Sequence, residues 1–510
     1  MLRNGRMKKL GGCLSFFAIA QFCRPPKFMC FLNRFYNGGK VFVTHQRPNT
    51  GADGPSSAAV TRATIPIAII AAVAGLLFGY DTGIISGAIL FLKIDFHLTA
   101  SSEEFVVSSV LIGAVLGAMV GGNLADRFGR RRMIIAAALV FVAAALVTAL
   151  SPTLTVLVLG RVGVGIAIGA ASFTAPLYIS EIAPAPIRGA LVSLNQLALT
   201  AGIVISYLVD YVLAKAGDWR AMFGFAVIPA LVLFVGMLLL PESPRWLAGK
   251  GKTAQAEKVL MRLHHEDVPA EMAEIDRSNQ DSKDSATLWA PVLRPAHIVG
   301  VGLAIFQQVT GINTIIYYAP TIFEMAGVHS NTVSILATVG VGMVNVLMTI
   351  VAIRLIDKVG RRPLLLTGTF GMVISLGVLG FAFHLHTVSA ALGWITAASL
   401  MVYVASFAIG LGPVFWLLIS EIYPLTVRGR AMSLATVMNW AANLVVALTF
   451  LSLIQWAGRG NTFWIYGLIG IGTWVFIYKL VPETKGRSLE SIEQHWANAS
   501  QNRQNASPPD

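Results

Sequence analysis

Asp126-Arg127-Phe128-Gly129-Arg130-Arg131 decides how this chain is read, because it returns 231 positions later as Asp357-Lys358-Val359-Gly360-Arg361-Arg362. Ser180-Glu181-Ile182-Ala183-Pro184, with Arg188-Gly189 behind it, returns 240 positions on as Ser420-Glu421-Ile422-Tyr423-Pro424 with Arg428-Gly429. Pro241-Glu242-Ser243-Pro244-Arg245 has its echo in Pro482-Glu483-Thr484-Lys485-Gly486-Arg487, 241 positions away. Between these copies the text is almost wholly apolar. A long internal repeat in an apolar chain implies two related halves, with whatever the molecule binds placed between them. The charged motifs sit where apolar runs end, so they mark loops on one face of a membrane.

Composition agrees. The chain is 55% hydrophobic and 12% charged, with 48 Gly among 510 residues, whereas a soluble protein is nearer a quarter charged. Runs such as 65–92 and 134–150 have the length and polarity of membrane-spanning helices, which need about 20 apolar residues each. Small residues dominate them and let helices approach closely. The net charge of +13 is mostly a property of the leader, where ten Lys and Arg up to Arg62 face the single acid Asp53. That distribution argues against a nucleic-acid partner. Cys13, Cys23 and Cys30 are confined to the same leader, so the body holds no disulfide framework. Residues 1–61 read as a basic, disordered N-terminal extension, with a cleaved targeting signal or an upstream start codon as alternatives.

Twelve spans are predicted, near 64–92, 104–124, 132–150, 154–179, 190–213, 219–240, 296–324, 331–355, 363–384, 391–420, 429–455 and 461–480. The fold class is therefore all-α integral membrane, in two six-helix halves (62–240 and 296–483). A cytoplasmic helical linker (241–295) joins the halves and a cytoplasmic tail (484–510) ends the chain. Within the linker, Ala256, Val259, Leu260 and Leu263 give 253–263 a helical apolar face. Arg127, Arg130, Arg131 and Arg132, then Arg188, then Lys358, Arg361 and Arg362, then Arg428 and Arg430 occupy loops of one face. The opposite loops at 151–153, 325–330 and 385–390 carry no Lys or Arg. Positive loops face the cytoplasm, which puts both termini there.

Residues 62–490 are identified by their motifs as resembling the sugar porter family of the major facilitator superfamily. The motifs are Gly122-x-x-x-Asp126-Arg127-x-Gly129-Arg130-Arg131, Pro241-Glu242-Ser243-Pro244-Arg245, Gln307-Gln308-x-x-Gly311-Ile312-Asn313, Gly412-Pro413-x-x-Trp416 and Pro482-Glu483-Thr484-Lys485-Gly486. The loop motifs point to the superfamily, and the Gln-Gln run with the Pro-Glu-Ser-Pro-Arg and Pro-Glu-Thr-Lys-Gly pair to its sugar branch. The resemblance implies a proton-coupled monosaccharide (hexose, pentose or polyol) symporter in the plasma membrane, functional as a monomer, with the proton as coupling ion and no other cofactor.

Asp81 lies inside the first predicted span, and an ionisable group at that depth is a functional candidate by default. Counting from the predicted ends, Asp81 sits about 18 Å and Arg161 of span 4 about 12 Å from the outer face, close enough to pair. No other opposite pair is buried this way in the sequence. The plain alternative is a static salt bridge. In the family, the Asp matching Asp81 carries the proton in symporters, and proton-independent glucose carriers lack it. Ala226 stands where the family's xylose carriers have a second membrane carboxylate, so coupling would rest on Asp81 and Arg161 alone.

A sugar hydroxyl both donates and accepts, and Gln and Asn offer both functions without a buried charge. Gln196, Gln307, Gln308, Asn313, Asn345 and Asn439 are the candidate sugar contacts, with Asn443 a weaker member and Trp416 a flat wall for the ring. Gln307, Gln308 and Asn313 do not share one straight helical face, so Gly311 is expected to break span 7. Tyr317 and Tyr318 are candidate outer gates. Any one of these amides, alone, is equally helix–helix glue.

Asp126, Arg127, Arg131, Glu181, Arg188, Glu242 and Arg245 mirror Asp357, Arg361, Arg362, Glu421, Arg428 and Glu483. They read as a cytoplasmic charge latch that holds the outward-facing state and breaks on opening inward, or as charges that only set topology. No metal-ligand cluster, nucleophile elbow or nucleotide loop argues for an enzyme. A facilitated uniporter is disfavoured by Asp81, and a non-transporting sugar sensor by the short tail.

Overall fold

The computed structural model of the chain describes residues 57–184, 187–264, 268–281, 289, 291–385, 390–423 and 427–486. The leader up to 56, all three cysteines and the tail beyond 486 lie outside these residues. Every regular element among the described residues is helical. Twelve helices are long and apolar enough to cross a membrane, and they are numbered here as spans 1 to 12. Spans 1 to 6 are Thr64–Asp95, Ala100–Phe128, Arg130–Ala149, Leu154–Ile182, Arg188–Leu213 and Trp219–Leu239. Spans 7 to 12 are Arg294–Met325, Asn331–Val359, Arg361–His384, Ala391–Glu421, Arg428–Ala457 and Arg459–Leu480. Most run a few residues beyond the apolar stretch that announced them, because charged and capping residues extend the helix past the hydrocarbon; span 6 instead stops one residue short, at Leu239.

Local signals fix where the helices turn. Thr99 and Ser102 form a capping box at the start of span 2, satisfying backbone donors that have no partner in the first turn. Thr153 caps span 4 and Asp218 caps span 6. Between spans 2 and 3 and between spans 8 and 9 the chain reverses at Gly129 and Gly360, with φ of 106° and 108°. A side chain is strained there, which is why both copies of the loop motif carry glycine at that point.

Packing inside the first half rests on rows of glycine. Gly75, Gly79, Gly83 and Gly87 recur every fourth residue on one face of span 1, and a β-carbon on them would collide with Asn195, Leu199, Ser206 and Asp210 of span 5. Gly113 and Gly117 of span 2 and Gly165 and Gly169 of span 4 interlock in the same way, backbone against backbone. Lipid offers no hydrophobic drive between helices, so close approach and dispersion contacts hold them.

The linker contributes three helices, Pro244–Gly249, Thr253–His264 and Val268–Asp281. They share a small core of Leu247, Ala256, Leu260, Met272 and Ile275. The indole Nε1 of Trp246 donates to the carbonyl of Asp126 at 2.9 Å, which ties this bundle to the end of span 2.

The two halves meet through spans 2 and 11, spans 5 and 8, and span 1 with the outer segment of span 7. The polar contacts between them lie toward the face opposite the arginine motifs. Lys93 pairs with Glu324 at 2.9 Å. Glu104 accepts from the backbone N–H and the hydroxyl of Ser452 at 2.8 and 2.6 Å, and the Tyr207 hydroxyl donates to the Ile316 carbonyl at 3.0 Å. The molecule is therefore closed on that face. Among the described residues, no ion pair joins the halves on the arginine face.

Candidate functional site

Asp81 and Arg161 do meet. Arg161 Nη1 lies 3.5 Å from Asp81 Oδ1, and the side chains are 1% and 7% exposed. Arg161 Nε donates to the Val106 carbonyl at 3.1 Å, and the guanidinium stands 5.4 Å from the centre of the Phe223 ring. Nη1 and Nη2 have no hydrogen-bond partner. The ion pair is thus long, with two buried donors left over, and such donors are costly to leave unsatisfied. A small pocket beside Asp81 is lined by Phe141, Thr148, Val164, Phe223 and Ala226. It belongs entirely to the first half.

The second half supplies the amides. Span 7 breaks where expected: Gly311 has φ of 92° and separates the helices Arg294–Val309 and Ile312–Met325. The break turns three residues of different helical faces toward one another. Asn313 Nδ2 donates to Gln308 Oε1 at 2.6 Å, and Gln308 Nε2 donates to Asn439 Oδ1 at 3.0 Å. Asn439 Nδ2 donates in turn to Gln307 Oε1 at 2.7 Å, while Gln307 Nε2 reaches the Leu411 carbonyl at 2.8 Å. Four amides from spans 7 and 11 therefore form one connected network anchored on the Gly410 break of span 10. A network in which each group orients the next is geometrically specific. Trp416 lies half-buried on the same segment of span 10, its ring 4.8 Å from Phe415. Asn345 is buried in span 8 and Gln196 half-buried in span 5, but neither joins the network.

Tyr317 and Tyr318 are both buried beneath the closed face. Asn443 Nδ2 donates to the Tyr317 hydroxyl at 3.2 Å, and the Tyr318 ring packs 5.1 Å from Phe450. Tyr318 interrupts the helix a second time, with φ of −116° and ψ of 16°.

The charge clusters gather the residues expected to form the latch. Each is completed within its own half. Arg130 pairs with Glu181 at 3.1 Å and with Asp126 at 2.9 Å. Arg361, its counterpart, pairs with Glu421 at 2.8 Å and Asp357 at 3.2 Å. Glu242 accepts from the backbone N–H of Arg131, as Glu483 does from those of Arg361 and Arg362. The Ser243 hydroxyl bonds Glu181, as Thr484 bonds Glu421. Arg188 and Arg428 each turn back onto a carbonyl five residues earlier, Ala183 and Tyr423. Arg245 pairs with Glu274 of the linker at 3.4 Å, and Arg127 stacks over Phe128. With the opposite face shut, these clusters stand intact, each on partners of its own half.

Three residues emerge only from the structure. Arg130 is the arginine that turns inward to Glu181, a role its correspondence with Arg361 would have pointed to. Trp440, next to Asn439, packs 5.0 Å from Phe78 of span 1 across the interface between halves, its indole N–H without a partner. Asp210 of span 5 is wholly buried.

Twelve membrane-crossing helices in two repeated halves, with a buried ion pair in one and an amide network in the other, define a multi-pass membrane carrier. The chain belongs to the sugar (and other) transporter family, whose model matches residues 67–496. It is 41% identical over 453 residues to the galactose-proton symporter of Escherichia coli, covering 88% of this chain and 97% of that one. It is 43% identical over 427 residues to a D-xylose transporter of Levilactobacillus brevis, covering 83% and 93%. The solved structure of the major facilitator superfamily proton:xylose symporter XylE, bound to 6-bromo-6-deoxy-D-glucose, superposes with a TM-score of 0.75 at 36% identity, covering 86% and 99%.

Proposed function

We propose that this chain is a proton-coupled monosaccharide symporter working by alternating access in the plasma membrane, as a monomer with both termini cytoplasmic. The face carrying the arginine motifs is then cytoplasmic, and the closed face makes this an inward-facing state. The observation that carries the reading is the separation of two buried sites: a carboxylate–guanidinium pair in the first half and a connected amide network in the second.

Their chemistries divide the work. A buried carboxylate is stable as an anion only while paired. When the outer face opens and water reaches Asp81, a proton neutralises it and releases Arg161, whose two unpartnered nitrogens mark a guanidinium already loosely held. The first half is then free to repack against the second. On the sugar side, Gln307, Gln308, Asn313 and Asn439 exchange some of their mutual hydrogen bonds for bonds to hydroxyls, with Gln196, Asn345 and Trp416 closing around the ring. Hydrogen bonds traded one for another leave binding reversible, as a carrier requires. The arginine clusters keep each half rigid while the halves rock.

Reconstitution into liposomes tests this. With glucose, galactose, xylose and inositol supplied in turn, at least one sugar is expected to accumulate against its gradient only when a proton gradient is imposed. Downhill equilibration that ignores the proton gradient, with no accumulation, would make the chain a uniporter, and absence of movement for every sugar would return the sensor reading.

A further inference from the structure

Asp210 plays no part in this scheme, yet it is the most completely buried carboxylate in the first half. It lies in span 5, three residues from the outer end, and is 0% exposed. One oxygen accepts from the backbone N–H of Gly87 at 3.2 Å, and the other has no partner. The contact is tight, since a β-carbon on Gly87 would strike the Asp210 carboxyl. No Lys or Arg forms an ion pair with it among the described residues.

Of the elements packed on span 5, span 4 carries Arg161, which pairs with Asp81, and the start of span 6 carries Arg220, which lies over Trp219 and donates to the Ser151 carbonyl. Span 1 faces Asp210 with Tyr80, whose hydroxyl is committed to the Met222 carbonyl, and Asp81 lies six residues below Gly87. Lys93, further out on span 1, is taken by Glu324. Its own span offers Tyr207, whose hydroxyl is given to Ile316 of the other half. Span 8 covers this end of span 5 and carries no charged residue before Arg354. One turn beyond Gly87 and Asp210, Leu90 and Ala214 pack against Ile335 of span 8. The second half is thus the lid over this carboxyl.

An anion here would be desolvated with one hydrogen bond and no counter-charge, which is costly. A neutral carboxyl avoids that penalty. We propose that Asp210 is a second proton-binding site, distinct from the Asp81–Arg161 pair, which is loaded when the second half closes over the outer ends of spans 1 and 5. The inference rests on the alternating-access reading for the existence of an outward-open state. In that state span 8 and the outer segment of span 7 withdraw, the carboxyl is hydrated, and the proton leaves to the outside. It enters and leaves by the same face, so it gates the cycle without being carried. External acid therefore favours closure over a loaded sugar site, and Asp210→Asn, which keeps the size and the Gly87 contact, mimics the loaded form permanently.

The test reads the gate rather than transport. In the full chain with Cys13, Cys23 and Cys30 changed to serine, Ala214→Cys places a thiol beneath the lid. Its labelling by a membrane-impermeant maleimide is measured with Asp210 and with Asp210→Asn, and the ratio of the two rates cancels the thiol's own pH dependence. The expected ratio is roughly tenfold at alkaline external pH, the effect of a one-unit linkage, falling toward one in acid. Infrared spectra supply the second readout: a neutral-carboxyl band that persists in Asp81→Asn and is lost in both Asp210→Asn and Asp210→Ser. The inference is overturned if the ratio is one at every pH, or if that band survives both substitutions. A pH-dependent ratio in a chain that accumulates no sugar would support the gate proton while sinking symport. Coupled accumulation with a flat ratio would sink the gate proton alone.

Discussion

The two halves repeat each other closely at the ends that carry the arginine motifs and part company at their centres. Arg130, Glu181 and Glu242 have their counterparts in Arg361, Glu421 and Glu483, with the same ion pair and the same carboxylate bond to the backbone N–H of the next arginine. At mid-membrane, Gly79-Tyr80-Asp81-Thr82 of span 1 corresponds to Gly311-Ile312-Asn313-Thr314 of span 7, 232 positions on. Even the threonines agree, each hydroxyl donating to a carbonyl in the preceding turn, Phe78 or Gly311. Yet the first half places a carboxylate where the second places an amide of nearly the same shape. The carboxylate faces Arg161, and the amide faces Gln308. The repeated unit keeps its arginine-cluster base in both halves and differs at its centre, an ion pair in one and an amide network in the other. The glycines diverge in the same sense. Gly79 keeps span 1 whole and tight on span 5, whereas Gly311, at positive φ, breaks span 7 and aims three amides inward.

This contrast is open to attack by mutation. The largest effect is expected from Arg161→Ala, which leaves Asp81 buried without its counter-charge. Removing one member of a buried pair costs about 3–5 kcal/mol, so the variant should melt well below the parent in detergent and transport nothing. Arg161→Met combined with Asp81→Asn should recover most of the stability, and failure to recover would mean the pair does more than balance charge. Next comes Gln308→Ala, at the middle of the network. Lost hydrogen bonds with neighbours left unpaired cost about 1–3 kcal/mol, so sugar affinity should fall by about ten- to a hundredfold while proton coupling of the remaining uptake is kept.

Arg130→Ala and Arg361→Ala sharpen the other side of the comparison. Each removes the same ion pairs from a different half, so initial uptake rates should fall several-fold and to a similar degree. A silent substitution in one half would show that the clusters are alike in geometry only. Glu324→Gln should act least. Its pair with Lys93 is a quarter to a third exposed, and such pairs contribute under about 1 kcal/mol. A shift of the outer face toward opening, about two- to fivefold in thiol accessibility, is the expected reading.

Much of this was legible in the sequence, for physical reasons. A membrane demands about twenty apolar residues per crossing, so the twelve spans stood out, and their ends shifted by no more than four residues. Gly311 between two Gln and an Asn announced a broken helix, since those amides share no face without it. The direction of side chains at helix ends was less accessible. Among Arg127, Arg130 and Arg131, spacing alone does not say which turns inward, nor that the ion pairs of each cluster close within one half. Asp210 escaped because a lone acid near the end of a span looks like an ordinary flank beside Lys215. The signal that would have found it is the row Asn195, Leu199, Gly202, Ser206 and Asp210, which meets the Gly75 to Gly87 face of span 1.

The central claim is that proton and sugar occupy separate sites in opposite halves. The most direct measurement takes Asp81→Asn, which gives the first half the residue type the second half already has, and determines both sugar binding and sugar-driven proton uptake into the vesicle lumen after reconstitution. Sugar affinity within about twofold of the parent, together with no proton uptake, is the predicted result. Loss of sugar binding, or proton uptake that persists, would contradict the division of labour between the halves.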